Sequence, residues 1–146
     1  MEVCEIGFED VPVVAALFDQ YRVFYQMESD LLAARRFLSE RIKNSDSTIF
    51  IAKTRDGNVI GFIQLYPLFS STRLKRLWLL NDLFVDPRYR GLKASVMLID
   101  RAKHLVKQTN AAGLLLETAK SNALSNKLYL KTNFVLDEDH NYYSWS

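Results

Sequence analysis

Cysteine is nearly absent from this chain. A single residue, Cys4, among 146 excludes an internal disulfide and a cysteine-held metal cluster, and it suits a reducing compartment. Histidine is as scarce: His104 sits among charges on a helical stretch and His140 in a terminal turn, so neither stands out as a catalytic base. With 3 prolines, 5 glycines and no repeat, low-complexity tract or linker, the chain reads as one domain over residues 1–146. No apolar run approaches the ~20 residues of a membrane helix. The opening MEVCEIGFED carries acids where a secretory signal needs bases, so a cytoplasmic protein without a membrane partner is expected. A net charge of +2, spread over interleaved acids and bases, argues against nucleic acid as a partner.

What the chain does have is apolar substance, 49% hydrophobic residues with 9 phenylalanines, enough for one sizeable core. Residues 2–6 alternate as a short strand. Val14, Leu17, Phe18, Tyr21 and Tyr25 then recur at helical spacing over residues 9–27, and a second helix is expected over residues 30–43 with Ser29 as its N-cap. Residues 48–54 and 59–68 read as a hairpin about a turn at residues 55–58. The run LWLLNDLFV at residues 77–85 is apolar on both faces, as a covered central strand should be. An amphipathic helix over residues 92–109 and a strand over residues 113–118 follow, so this strand, helix and strand should run parallel. A last helix over residues 122–131 and a hairpin pairing residues 134–136 with 142–145 would close the sheet.

Two motifs stand out against this order. FVDPRYRGLKAS at residues 84–95 leads a strand end through a turn into a helix. N-x-x-x-x-x-L-Y-x-x-x-N-F runs from Asn122 through Leu128-Tyr129 to Asn133-Phe134. Together, separated by one helix and one strand, they resemble the GNAT superfamily of acetyl-CoA-dependent N-acetyltransferases over nearly the whole chain. The resemblance implies an α/β (α+β) fold: a mixed central sheet of about six to seven strands, about four flanking helices, and splayed parallel central strands. LLNDLFV is most similar to the L-E-D-x-x-V pattern of polyamine, small-amine and D-amino-acid acetyltransferases, with Asn81 where polyamine enzymes often carry glutamate.

The resemblance also implies site roles. Main-chain groups of Leu83, Phe84 and Val85 would bond the pantetheine arm of acetyl-CoA. Its pyrophosphate would rest on the amides of Gly91, Leu92, Lys93, Ala94 and Ser95, where a helix N-terminus favours an anion, with Arg90 also in the cofactor site. The family's R-x-x-G-x-G/A pattern is broken at Lys93 and softened at Ser95. Backbone donors tolerate side chains wherever φ is negative, so Lys93 either swings outward to add a cation or crowds the phosphates. Asn122 would bond the arm. Tyr129 would protonate the departing CoA thiolate, a fitting task for a phenol of pKa near 10. Asn133 replaces the glycine that often ends this helix, and asparagine tolerates a left-handed cap.

An ammonium acceptor must lose a proton before it attacks. Asp82, a charge inside an apolar strand, and Glu117, at the end of the following strand, are the candidate bases. The alternative for Asp82 is a hydrogen bond to neighbouring bulge backbone. Tyr25, Tyr66, Asn81 and Asp82 are the candidate acceptor-binding residues, with Tyr21, Phe24, Phe69, Trp78, Tyr142 and Tyr143 as further aromatics in the variable segments. No metal is expected. The function expected is acetyl transfer from acetyl-CoA to a primary amine of a small molecule by direct attack in a ternary complex. A weakly catalytic acyl-CoA sensor, a protein or peptide N-acetyltransferase and a purely structural module are the alternatives. A homodimer through Tyr143 and Trp145 is a family-level expectation.

Overall fold

Alternating β-branched and aromatic residues drive the middle of the chain into a sheet. The computed structural model describes residues 1–146 as two units, Met1–Leu116 and Glu117–Ser146. The first holds β1 (Glu2–Glu5), α1 (Val11–Phe24), α2 (Leu31–Asn44), β2 (Thr48–Lys53), β3 (Val59–Ser70), β4 (Lys75–Val85), α3 (Ala94–Gln108) and β5 (Leu114–Leu115), with 3-10 turns at Phe8–Asp10 and Pro87–Tyr89. The second holds α4 (Ala123–Lys131). The sheet runs β1-β2-β3-β4-β5, antiparallel up to β4, with β5 parallel to it.

The side-chain period of two sorts the core onto two faces. Ile49, Ile51, Phe62 and Phe84 meet Val14, Leu17 and Phe18 of α1 and Ala34 and Leu38 of α2. On the opposite face α3 buries Leu98, Ile99 and Ala102, and its Arg101 guanidinium lies 4.1 Å from the centre of the Phe50 ring. Each fully buried aromatic or aliphatic side chain contributes about 1.5–3 kcal/mol.

Local chemistry sets the element ends. Asp30, rather than Ser29, caps α2 by accepting from the Ala33 amide at 3.0 Å. Ser29 instead donates to Asp19 at 2.6 Å. The sheet has five strands, not six or seven. The strand expected over residues 113–118 shrinks to Leu114–Leu115. The closing hairpin of residues 134–136 and 142–145 is not formed; Val135, Leu136, Tyr142, Tyr143 and Trp145 are all exposed. Runs of three or four residues need a ladder and a buried face to persist as strands. Between them Asp137 accepts from the amides of Asp139 and His140, a local turn that wins over pairing. No helix is long and apolar enough to cross a membrane.

Candidate active site

The site begins with a mismatch between β3 and β4. Phe62 faces Phe84 and Gln64 faces Asp82, but the next rung pairs Leu65 with Leu80, leaving Asn81 unmatched. Such a bulge bends the strand. It also separates two sets of side chains: Trp78 and Leu80 lie on the α3 face, whereas Asp82 and Phe84 lie on the face covered by α1 and α2. Trp78 Nε1 accordingly donates to Thr109 Oγ1 at 2.9 Å, at the end of α3. Phe84 packs with α1 and α2.

Asp82 is thereby buried beside polar neighbours, with 5% of its surface exposed. Its Oδ2 accepts from Gln64 Nε2 at 2.6 Å and its Oδ1 from Asn81 Nδ2 at 3.1 Å. The Tyr21 hydroxyl also bonds this carboxylate and reaches the Asn81 carbonyl at 3.4 Å. Its partners are thus side chains, not bulge backbone. Burial pushes the Asp82 carboxyl above the ordinary carboxylate range, opposed by the bonds from Gln64, Tyr21 and Asn81. Behind Gln64, Ser47 Oγ donates to Oε1 at 2.9 Å. Tyr66, on the same face as Gln64, has its phenol pushed up to about 12 by burial and by the negative charge of Asp82. Tyr25 stacks edge-on against Tyr21 with centroids 5.0 Å apart. The fold therefore gathers Tyr21, Tyr25, Tyr66, Asn81 and Asp82, residues up to 61 positions apart in the chain.

Past the bulge, β4 has a free edge. β5 pairs with it only at Trp78–Leu114 and Leu79–Leu115, so residues 80–85, including Leu83, Phe84 and Val85, have no strand neighbour on that side. The chain then turns at Asp86, which is buried and accepts from the Arg88 amide at 2.9 Å and from Arg88 Nη2 at 2.7 Å. Arg88 holds the Asp86 carboxyl below the usual range.

The segment beyond is where sequence reasoning needs correction. Lys93 has φ +61°, in the left-handed region, just as Gly91 does at +88°. A negative φ was the condition under which a side chain is free of strain there; the backbone instead asks for glycine, and a non-glycine residue pays about 1–2 kcal/mol. The family's glycine at this position thus answers the backbone. Residues 94–96 form the first turn of α3, ahead of the bond from Met97 N to Lys93 O at 3.1 Å, so their amides point out of its positive end.

The Glu117–Ser146 unit carries the other candidates. Asn122 caps α4, its Oδ1 accepting from Ser125 N at 3.1 Å. Asn133 is left-handed at φ +70°, as its substitution for glycine requires. Asn133 N bonds Leu130 O at 3.2 Å and Phe134 N bonds Tyr129 O at 2.9 Å, a paired closure of the helix end. The Phe134 ring meets Tyr129 edge-on at 5.5 Å, so the closure also braces the phenol. Glu117 is exposed. Gln64, Ser47 and Asp86 escaped the reading of the sequence. The signal for Gln64 was there, a lone amide in the apolar run VIGFIQLYPL.

A bulged strand with an open edge thus runs, through the Asp86 turn, into the N-terminus of α3. Residues 13–134 match the Acetyltransferase (GNAT) family, and the chain belongs to that family, whose cosubstrate is acetyl-CoA. It is 41% identical over 137 residues to an uncharacterized N-acetyltransferase of Bacillus subtilis, YhfO, covering 94% of this chain and 91% of that protein. A "probable acetyltransferase" of Haemophilus influenzae is 32% identical over 112 residues, 77% of each chain. The crystal structure of a "probable acetyltransferase" superposes with a TM-score of 0.96 at 33% identity, over 100% of this chain and 97% of that one.

Proposed function

We propose that the protein transfers the acetyl group of acetyl-CoA to a primary amine of a small molecule, by direct attack within a ternary complex. The observation that carries this reading is the free edge of β4 at residues 80–85, beside a bulge that places Asp82 under α1 and α2. Acetyl-CoA supplies the acetyl group as an activated thioester. The chain's own part is to hold it. Backbone groups of Leu83, Phe84 and Val85 continue the sheet with the pantetheine amides, Asn122 adds its free Nδ2, and the amides from Gly91 to Ser95 take the pyrophosphate with Arg90 and Lys93 as nearby cations.

Asp82 accepts the ammonium proton. A carboxylate raised by burial is a better base near neutral pH than an ordinary one, and Glu117, acting through water, is the second candidate. The amine nitrogen then bonds the acetyl carbon as the carbon–sulfur bond breaks; Tyr129 gives its proton to the departing thiolate, and the proton the nitrogen sheds on becoming an amide replaces it on the phenol. Tyr25, Tyr66 and Asn81 with Asp82 form an aromatic and acidic wall that suits a cationic amine. A cytoplasmic setting and pairing of two copies through Tyr143 and Trp145 complete the reading.

One observation favours a second reading: Lys93 stands strained where the family has glycine, as expected if the cradle binds acyl-CoA for sensing rather than turnover. Steady-state CoA release over a panel of amines, with calorimetry on CoA, separates the two. Turnover with at least one small amine supports transfer. Binding without turnover for any amine supports the sensor, and absence of CoA binding removes both.

A further inference from the structure

Asp82 presents an unusual problem: a nearly dry carboxylate must stay ionised to be of use, yet no Lys, Arg or His faces it. The groups around it are Tyr21 from α1, Gln64 and Tyr66 from β3 and Asn81 from the bulge; Arg41 and Asp46, at the end of α2, act on Tyr66. Of these, Gln64 is the fully buried one, 0% exposed, and makes the shortest bond, 2.6 Å to Oδ2. Its other end is tied by the Ser47 hydroxyl, which lines a surface cavity with Ser45 and Thr48. An amide anchored at its carbonyl offers its amino end without having to turn. Asn81, by contrast, is exposed and bonds Oδ1, the oxygen that Gln64 does not hold.

Resting on the acetyl-transfer reading, we propose that Gln64 is a positioning residue: anchored by Ser47, it holds Oδ2 of Asp82 and keeps the carboxylate ionised, leaving Oδ1 to receive the proton of the acceptor amine. The amide never meets the substrate. Its effect is on which form of Asp82 the interior favours, because a donor bonded to the charged form lowers the cost of ionisation. Removing it should raise the midpoint at which Asp82 titrates by about 1–2 pH units, the worth of a hydrogen bond to a charged group.

The experiment is a pH titration of the Asp82 carboxyl carbon by NMR in the wild-type protein, Gln64→Leu and Gln64→Met, with Asp82→Asn to identify the resonance. Gln64→Met is unbranched and close in length, so it tests the idea if the leucine variant fails to fold. An upward shift of one pH unit or more in a folded variant, with the acid limb of CoA release moving by the same amount and KM for acetyl-CoA unchanged, is the expected result. A midpoint within about 0.2 pH units of wild type, equivalent to about 0.3 kcal/mol, overturns it. The titration needs no acceptor. If Asp82→Asn keeps wild-type CoA release, the base assignment fails on its own while the titration still decides the role of Gln64.

Discussion

The two units of the chain are built by different means. In Met1–Leu116 long-range burial fixes the fold: Phe62, Ile63, Leu65, Leu98 and Ile99 are all 0% exposed. In Glu117–Ser146 the one buried residue is the polar Thr132, and order comes from neighbours in sequence: the Asn122 cap, the Asn133 closure and the Asp137 turn. The chemistry divides along the same line. The candidate base and the phosphate cradle belong to the unit with a core, and the candidate acid Tyr129 to the unit held by local bonds.

Substitutions can break or sharpen this contrast. The largest effect is expected for Phe62→Ala, a loss of about 3–5 kcal/mol by denaturant unfolding, since it empties a closed core position. A loss below 1 kcal/mol would mean that burial does not govern the first unit. Asp82→Asn should next lower CoA release by about 10²-fold while leaving the protein as stable or more stable at neutral pH. The sign follows from burial: the folded pKa lies above the unfolded one, so the native state takes up the proton first as pH falls. The cost of the buried charge is present above the folded pKa and vanishes as pH drops to the ordinary carboxylate range near pH 4. The stability advantage of the asparagine variant should therefore shrink on acidification, and an advantage that grows on acidification would refute the argument.

Smaller effects probe the local bonds. Asn122→Ala should weaken α4 by about 1 kcal/mol, read by faster amide exchange confined to residues 123–131; faster exchange throughout the sheet would show the two units to be one cooperative body. Lys93→Gly should raise stability by up to about 1 kcal/mol, because left-handed strain relieved exceeds the entropy of glycine, with CoA affinity changed less than about tenfold. The smallest effect belongs to Trp145→Ala, within about 0.5 kcal/mol, since its ring is 96% exposed.

Much of the first unit could be read in advance because periodicity reports burial. The apolar run at residues 77–85 with its Asn81-Asp82 pair and the parallel strand-helix-strand unit were visible as residue types at fixed offsets, as was the left-handed Asn133 in the second unit. A bulge in this strand was implied by the family resemblance, but its register was not legible, because it is a property of β3 and β4 together: nothing in either strand says that Leu65 meets Leu80 while Gln64 meets Asp82. Gln64 was missed for the same reason, as its importance lies in the rung it shares with Asp82. The φ of Lys93 depends on how the turn enters α3, which side-chain identity records only when glycine is present. The absent closing hairpin shows the converse. Residues 134–136 and 142–145 have the composition of strands, yet composition cannot supply a ladder partner, and the Asp137 turn prevailed.

Asn81 has one more implication. Because no residue of β3 is matched to it, its side chain is exchangeable without costing the sheet a rung, and it sits next to the carboxylate. On the proposed acceptor site, a substitution at that single position would change what the amine meets while the scaffold around it stands still.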